Sequence, residues 1–463
     1  MKIFDTLGAK EKEVTAKNIR IYLCGVTVYD ESHIGHARTI IIFDTLRRYL
    51  EGNGHTVNFV QNFTDVDDKI INRASTEKTS PLQVSTRYIE RYFEDFDRLH
   101  IRRANNYPKA TEHIQEMINL IKNLVESGFA YVSKNGVYYR VSKFSDYGKL
   151  SKKKTDELIS GARIEVDESK DSPLDFALWK FSDTEPNWPS PWGNGRPGWH
   201  IECSAMSLKY LGEEFEIHGG GRDLIFPHHE NEIAQTEAFT NKPLAKVWMH
   251  AGMVTINGEK MSKSLGNIKT VKHVLDNWGP NVIRLFCLSG HYSKPIDYSE
   301  DLLKENLTKW RQVETAYYEM IMAEGAGGPV DEMSGIAAEC KKEFNASLDS
   351  DFNTAGAVSA FFKIVKGINR IAAEEKMTKD VAQTALSEFE RVMEILGLEV
   401  QKITQKEKQE ISDLLKKREE LRAQKQYQEA DKIRDQIARM NIVLLDHKGK
   451  TVWMKKEKIK SDL

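Results

Sequence analysis

The sequence predicts an α/β protein: a parallel-sheet domain with an insertion, then an α-helical bundle, then a small terminal α+β module. Three observations carry this. The first sixty residues alternate strand, helix and strand. The stretch from about 115 to 197 breaks that alternation. From about Val271 the apolar spacing is almost wholly helical. At 463 residues the chain is too long for one core, so several domains are expected. Hydrophobic and charged contents of 40% and 29% suit a globular protein. Apolar runs such as Ile40-Ile41-Ile42-Phe43 fall far short of a membrane span, so no membrane partner is expected. Met1–Asp5 lacks the apolar core of a signal peptide, and Cys24, Cys203, Cys287 and Cys340 lie too far apart for a disulfide framework. A reducing cytoplasm fits both.

Ile19–Leu23 reads as a buried strand running into Cys24-Gly25, His36–Leu50 as a helix and Val57–Gln61 as a second strand. This is the βαβ unit of a Rossmann-like parallel sheet, whose ligands sit beyond the carboxyl ends of the strands. Residues Pro81 to Leu124 read as helical. Asn135-Gly136 marks a hairpin between Phe129–Val132 and Val137–Val141. Residues 182–198, rich in Pro, Gly, Trp and Asn, are irregular. A helix over Ile201–Tyr210 and a strand over Phe215–His218 follow. Gly219-Gly220-Gly221 reads as a loop, and Pro227 opens another helix. Helices are expected across Val271–Leu396, at Glu407–Ala423 and at Tyr427–Met440, before a hairpin of Ile442–Leu445 and Thr451–Met454. The expected domains are 1–114 with 198–250 (the sheet), 115–197 (the insertion), 251–310 (a linker), 311–400 (the bundle) and 401–463 (the terminal module). The last carries 17 Lys+Arg against 11 Asp+Glu, a net +6 that leaves −8 on the rest. That charge fits a solvated helical hairpin as well as it fits a phosphate-binding module.

The chemistry lies in two sets of residues. His33-Ile34-Gly35-His36 places two imidazoles at a loop-to-helix junction, where free N–H groups and the helix dipole attract phosphate. Gly35 allows a flat ring to approach the backbone. Lys260-Met261-Ser262-Lys263-Ser264 follows the strand Met253–Ile256; two ammonium groups on a loop there can stabilise charge on a transferring phosphate. Beside these stand metal-ligand types. Cys24 and Cys203 offer thiolates. His228 and Glu232 share a helix face at i, i+4. His200, His229 and Glu230 compete as ligands in the same stretches; His229 cannot share the face of His228, which suits an outer supporting position. Cys287 and Cys340 read as core.

The two nucleotide motifs are signatures of class I aminoacyl-tRNA synthetases. The text around them resembles the cysteinyl-tRNA synthetase family along essentially the whole chain. The resemblance rests on Tyr22–Asp30, Asn62–Lys69, Gly198–Ser204 and His218–Glu232. It departs at Val26, where the family usually has Pro. It implies one zinc per subunit on Cys24, Cys203, His228 and Glu232. It implies ATP, with Mg²⁺, bound by His33, Gly35, His36, Lys260 and Lys263. Of these, His33, His36, Lys260 and Lys263 would be catalytic. Thr27, Thr64, Trp199 and His218 would line the amino-acid pocket. The implied reaction is cysteine—tRNA ligation: L-cysteine is activated to an adenylate and transferred to the 3′ end of tRNA-Cys, serine being excluded because a thiolate bonds zinc and a hydroxyl does not. Residues 401–463 would bind the anticodon, with Trp453 expected as an exposed ring on which an unpaired base stacks. A cytoplasmic monomer is expected.

Two alternatives use the same residues. A cysteine–amino-sugar ligase of mycothiol synthesis resembles the catalytic half but ends before a terminal module. A non-catalytic tRNA-binding protein on the same scaffold would usually have lost some of the motif residues, and here all are present.

Overall fold

The computed structural model describes residues 1–463 apart from 154–168, 262–265, 448–449, 458 and 461–463. The chain forms two compact units, the first made of 1–271, 290–297 and 349–353, the second of 272–289, 298–348 and 354–463. The stretch 251–310 contributes to both. No described helix is long and apolar enough to cross a membrane.

The first unit is organised by a four-stranded sheet in the order Ala245–Ala251, Phe215–Gly221, Asn18–Thr27, Thr56–Thr64. Every pairing is parallel. The central strand buries Ile19, Ile21, Tyr22 and Leu23 in succession, the continuous apolar run of a strand covered on both faces. Register sets Tyr22 beside His218, His218 beside Trp248, and Thr27 beside Thr64. All carboxyl ends therefore meet at one edge, where such sheets bind ligands. Between Leu23 and Val26 the register shifts. There Gly25 passes so close to the next strand that a Cβ would sit 1.6 Å from Asn62 O, so no other residue fits.

The helix Ile34–Gly52 follows. Its cap is the histidine motif itself: His33 Nδ1 accepts from the amides of Gly35 (3.1 Å) and His36 (3.4 Å). His36 Nδ1 accepts in return from the amide of His33 at 3.5 Å. This is a capping box built from imidazoles.

The inserted segment contains a helix, Ile114–Glu126, and an antiparallel sheet of Ala130–Ser133, Gly136–Tyr139, Phe176–Phe181 and Gly195–Pro197. Tyr139 stacks on Phe176 at 4.9 Å in its core. Buried Glu230 anchors the segment by accepting from the amides of Gly148, Leu150 and Ser151.

Several elements differ from the sequence expectation. Gly219-Gly220-Gly221 is not a loop but continues its strand, because Met249–Ala251 pair with it. The helical stretch from Pro81 to Leu124 is two helices, Pro81–Arg98 and Ile114–Glu126. The chain between them is extended and bridges to Val60 and Phe63. A short strand, Ile296–Tyr298, interrupts the helical region and joins the hairpin Val254–Ile256/Glu259–Lys260.

In the second unit the helices Glu300–Ile321, Val330–Asp349, Thr354–Ala373 and Lys379–Leu396 supply the bundle. Cys287 and Cys340 are fully buried, as expected of core residues. The helices Gln405–Ala423 and Tyr427–Arg439 and the hairpin Ile442–His447/Lys450–Lys455 make the terminal module. Its core is Ile411, Ile433, Ile437, Ile442 and Trp453. Trp453 is therefore not the exposed ring expected from sequence. It lies opposite Leu444, only 6% exposed, because the inward face of the hairpin needs a large apolar side chain to cover the two helices. Past the hairpin, Asn281 Nδ2 donates to Glu457 (2.9 Å) and to Glu399 O (3.0 Å), which ties the tail to the bundle.

Trp453→Ala should consequently lower the stability of the terminal module by about 3–5 kcal/mol, the cost of emptying a core site of this size. Loss of that module's cooperative unfolding transition in calorimetry is the expected sign. A variant with unchanged unfolding would show that the ring is not core.

Candidate active site

The carboxyl edge of the sheet gathers side chains from four elements. Cys24 comes from the central strand and Cys203 from the helix Trp199–Leu211. His228 comes from the turn Ile225–His229, and Glu232 from the helix Glu230–Thr240. Phe226, before Pro227, is extended (φ −138°, ψ 132°), so the helical direction is set from Pro227 onward and carries His228 one turn before Glu232. Cys24 Sγ lies 3.7 Å from Cys203 Sγ and 3.3 Å from Glu232 Oε1, and His228 Nε2 lies 3.0 Å from Glu232 Oε1. All four donor atoms fall within 4.8 Å of one another, and all four residues are buried. A tetrahedral ion with ligands at about 2.0–2.3 Å has ligand–ligand edges of roughly 3.3–3.8 Å, so the set fits a metal after small adjustments.

A second set overlaps it. His218 Nε2 is 3.5 Å from Cys24 Sγ and 3.3 Å from Glu232 Oε2, and His229 Nε2 is 3.3 Å from Cys24 Sγ. Cys24, His218, His229 and Glu232 thus also lie within ligand reach of one another. His218 sits in this cluster, fully buried, rather than on an open wall. His229 does support from the side, with Nδ1 2.8 Å from His250 Nε2, but its other nitrogen reaches the sulfur. His200 Nδ1 stands 3.0 Å from His228 Nδ1 and orients that ring, while Glu230 faces the insertion.

The electrostatics follow from burial. Cys24 is pushed well above the usual thiol range by burial, then by Cys203 and Glu232 beside it. Burial also opposes ionisation of Cys203, but the hydrogen bond from Cys24 and the His228 imidazole outweigh it and bring Cys203 down to about 6. Burial would lower His228, yet Glu232 and Cys203 raise it to about 10. Glu232 is held well below the usual carboxylate range, because His218 and His228 outweigh its burial. Without metal, the cluster at neutral pH is a thiolate, an imidazolium, a carboxylate and a neutral thiol.

The histidine motif lies beside it. A cavity of about 180 Å³ is lined by Cys24, His33, Gly35, His36, Gly252 and Met261 among others. The His33 and His36 rings stack at 3.7 Å, and burial with His33 alongside keeps His36 well below the usual imidazole range. His36 is thus a neutral donor. A Cβ on Gly35 would stand 3.0 Å from the His33 ring, so the glycine admits the capping histidine itself. Asn257 (φ 53°) and Gly258 (φ 76°) turn the hairpin whose second strand ends at Lys260, opposite Thr255. Lys263, with Ser262 and Ser264, lies outside the described residues, as does the side chain of Lys260. The chain just beyond returns to the histidine motif: Ile34 N donates to Lys269 O, and Val271 N to Ser32 O.

Of the expected amino-acid contacts, Thr27 and Trp199 line a neighbouring cavity. Thr64 is buried and its hydroxyl donates to Glu202 at 2.8 Å. Arg38 went unnoticed in sequence. Fully buried, its guanidinium donates to Gly252 O, Met253 O, His291 O and Lys294 O at 2.6–3.2 Å. It fastens the motif helix to the strand connection that leads to Lys260. A charge on the apolar face of Ile34, Ile41 and Ile42 was the available signal.

The fold and the site together define a class I aminoacyl-tRNA synthetase. Residues 10–308 match the family model of the class I (C) tRNA synthetase catalytic domain, residues 343–401 the DALR domain, and 404–453 the cysteinyl-tRNA ligase anticodon binding domain. The chain belongs to the cysteinyl branch of that class. The cysteine—tRNA ligase of Thermodesulfovibrio yellowstonii is 48% identical over 98% of this chain and 99% of its own. That of Geobacter sulfurreducens is 46% identical over 98% and 99%. In fold the chain is similar to Mycobacterium tuberculosis methionyl-tRNA synthetase with methionyl-adenylate: TM-score 0.64, 15% identity, 82% of this chain and 90% of that one.

Two outcomes follow. Metal uptake at pH 7.5 should release about two protons, from Cys24 and His228, both raised and so protonated in the metal-free chain. Affinity should fall as pH drops below about 10, and more steeply below about 6, where Cys203 also takes a proton. Calorimetry in buffers of different ionisation enthalpy counts the protons; release of none would refute the charge assignment. Arg38→Lys keeps the charge but loses the fork. It should slow adenylate formation on the order of 10- to 100-fold through misplacement of the motifs, with little change in the KM for cysteine.

Proposed function

We propose that the chain activates L-cysteine with ATP and transfers it to tRNA-Cys. The observation that carries this is the buried donor set with two sulfurs, Cys24 and Cys203, opening on the cavity shared by His33, His36 and Met261. A hydroxyl and a thiol differ too little in size for a pocket to separate them well, whereas soft donors suit a metal that binds sulfur. We assign zinc, one per chain, to Cys24, Cys203, His228 and Glu232, because this set supplies two thiolates and the alternative one. Bound there, zinc takes a thiolate in preference to a hydroxyl.

The chain's own residues do the rest. Thr27 and Trp199 border the amino acid. The neutral His36 meets the triphosphate at a helix start whose dipole, its amides being already capped, still favours the anion, with Mg²⁺ accompanying ATP. Lys260 and Lys263 supply positive charge that stabilises the transition state as a carboxylate oxygen attacks the α-phosphorus and pyrophosphate leaves. A ribose hydroxyl of the terminal adenosine then attacks the carbonyl carbon, and AMP leaves with the proton taken up by solvent.

Residues 401–463 are proposed to take the anticodon. With Trp453 in the core, the large aromatic exposed on this module is Tyr427, 59% accessible at the start of its helix, and it replaces Trp453 as the stacking surface. The amino-sugar ligase reading leaves this module without a task. We place the protein in the cytoplasm, as a monomer.

Aminoacylation with tRNA and each of cysteine and serine tests the reading. Cysteine should be charged and serine left, with pyrophosphate exchange dependent on cysteine. Cys203→Ser should weaken cysteine far more than ATP. Equal losses would make the metal merely structural, and exchange driven equally by serine would overturn the selectivity.

A further inference from the structure

The chain re-enters the first unit for five residues, 349–353, between the helices Val330–Asp349 and Thr354–Ala373. The backbone there is strained. Asp351 (φ 49°) and Phe352 (φ 44°) both stand in the left-handed region, and among the described residues they are the one adjacent pair of non-glycine residues to do so. Aspartate tolerates this conformation, but a bulky ring rarely adopts it. Such a backbone persists only where its surroundings hold it, and it gathers at functional segments. Phe352 is fully buried here, its ring 6.1 Å from that of Tyr292.

The side chain of Asp351 is the anchor. It accepts from Phe4 N at 2.8 Å and from the Tyr292 hydroxyl at 2.9 Å, and its second oxygen lies 3.5 Å from His291 Nε2. Burial and the Asp351 carboxylate push the Tyr292 phenol well up, so it stays a donor. His291 and Tyr292 belong to the turn that receives Arg38. His291 O and Lys294 O accept from the Arg38 guanidinium. Tyr292 O accepts from Gly252 N at 2.7 Å, and the Gly252 carbonyl accepts from Arg38 in turn. Two residues before Asp351, Asp349 accepts from the Tyr49 hydroxyl at 2.9 Å, towards the far end of the motif helix. One short segment therefore grips both the helix that begins after His33 and the turn whose carbonyls take that helix's arginine. We propose that Asp351 is a positioning residue for amino-acid activation: through Tyr292 and His291 it fixes the carbonyls that receive Arg38, and through Arg38 it fixes the histidine motif. The inference rests on the reading of the protein as an enzyme that activates cysteine with ATP.

Asp351→Gly in the full-length, metal-loaded protein tests this. Glycine adopts a positive φ without strain but carries no carboxylate, so the backbone is kept while the anchor is lost. Adenylate formation, followed in a single turnover, should slow on the order of 10-fold or more through misplacement of the motif. The KM for cysteine should be unchanged, and so should transfer to tRNA from supplied cysteinyl-adenylate. Asp351→Asn tolerates the same backbone and keeps an oxygen acceptor, so it should restore most of the rate. Tyr292→Phe, which removes one donor, should reproduce the slowing in milder form. Unchanged activation in Asp351→Gly would overturn the proposal. Equal losses in activation and transfer would overturn it too, since a general fold defect strikes both steps, and so would Asp351→Asn no faster than Asp351→Gly. Wild-type protein without cysteine-dependent pyrophosphate exchange would instead sink the activation reading, so the two failures are distinct.

Discussion

Everything at this site turns on the sulfur of Cys24. Four partners converge on it within 3.3–3.7 Å: Cys203, Glu232, His218 and His229. They come from two helices, a neighbouring strand and the turn between. Such a concentration of ionisable groups in a dry interior is costly unless each is paired. Here the pairing is mutual and the geometry is that of a ligand shell. The cluster could therefore hold a metal ion. Its rigidity comes from the sheet: Gly25 lets the central strand press against Asn62, and the parallel register brings Tyr22, His218 and Trp248 side by side.

The nucleotide side obeys a different constraint, helix capping. His33 and His36 satisfy the first amides of their own helix, so the motif is preorganised before any phosphate arrives. Arg38, four carbonyls deep in the core, holds that helix to the segments at Gly252 and Lys294. Placement, rather than acid–base chemistry, is the contribution we propose for these residues. That is the expected division of labour where phosphoryl chemistry depends on positioning and charge.

Much of this was legible in the sequence because the relevant residues are chemically distinctive. Two thiols, an i, i+4 His–Glu pair and two short motifs leave few alternatives, and the βαβ alternation told where they would meet. What was not legible depends on tertiary contacts. The glycine triplet became strand because a neighbouring strand paired with it. His218 and His229 entered the ligand cluster because register and a turn aimed them there, and spacing along one helix could not reveal that. Trp453 went the other way: local charge suggested an exposed ring, but the hairpin face it occupies is the one that covers two helices. Arg38 was hidden because its partners are backbone carbonyls more than two hundred residues away, which no side-chain pattern announces.

The central claim is that the Cys24 cluster holds a metal that meets the sulfur of the amino acid. Replacing the metal with Co²⁺ and recording the near-ultraviolet sulfur-to-cobalt charge-transfer band tests it most directly. Addition of L-cysteine should intensify that band, since one more thiolate joins Cys24 and Cys203, whereas serine should leave it unchanged. A band that responds to both amino acids alike, or to neither, would contradict the account.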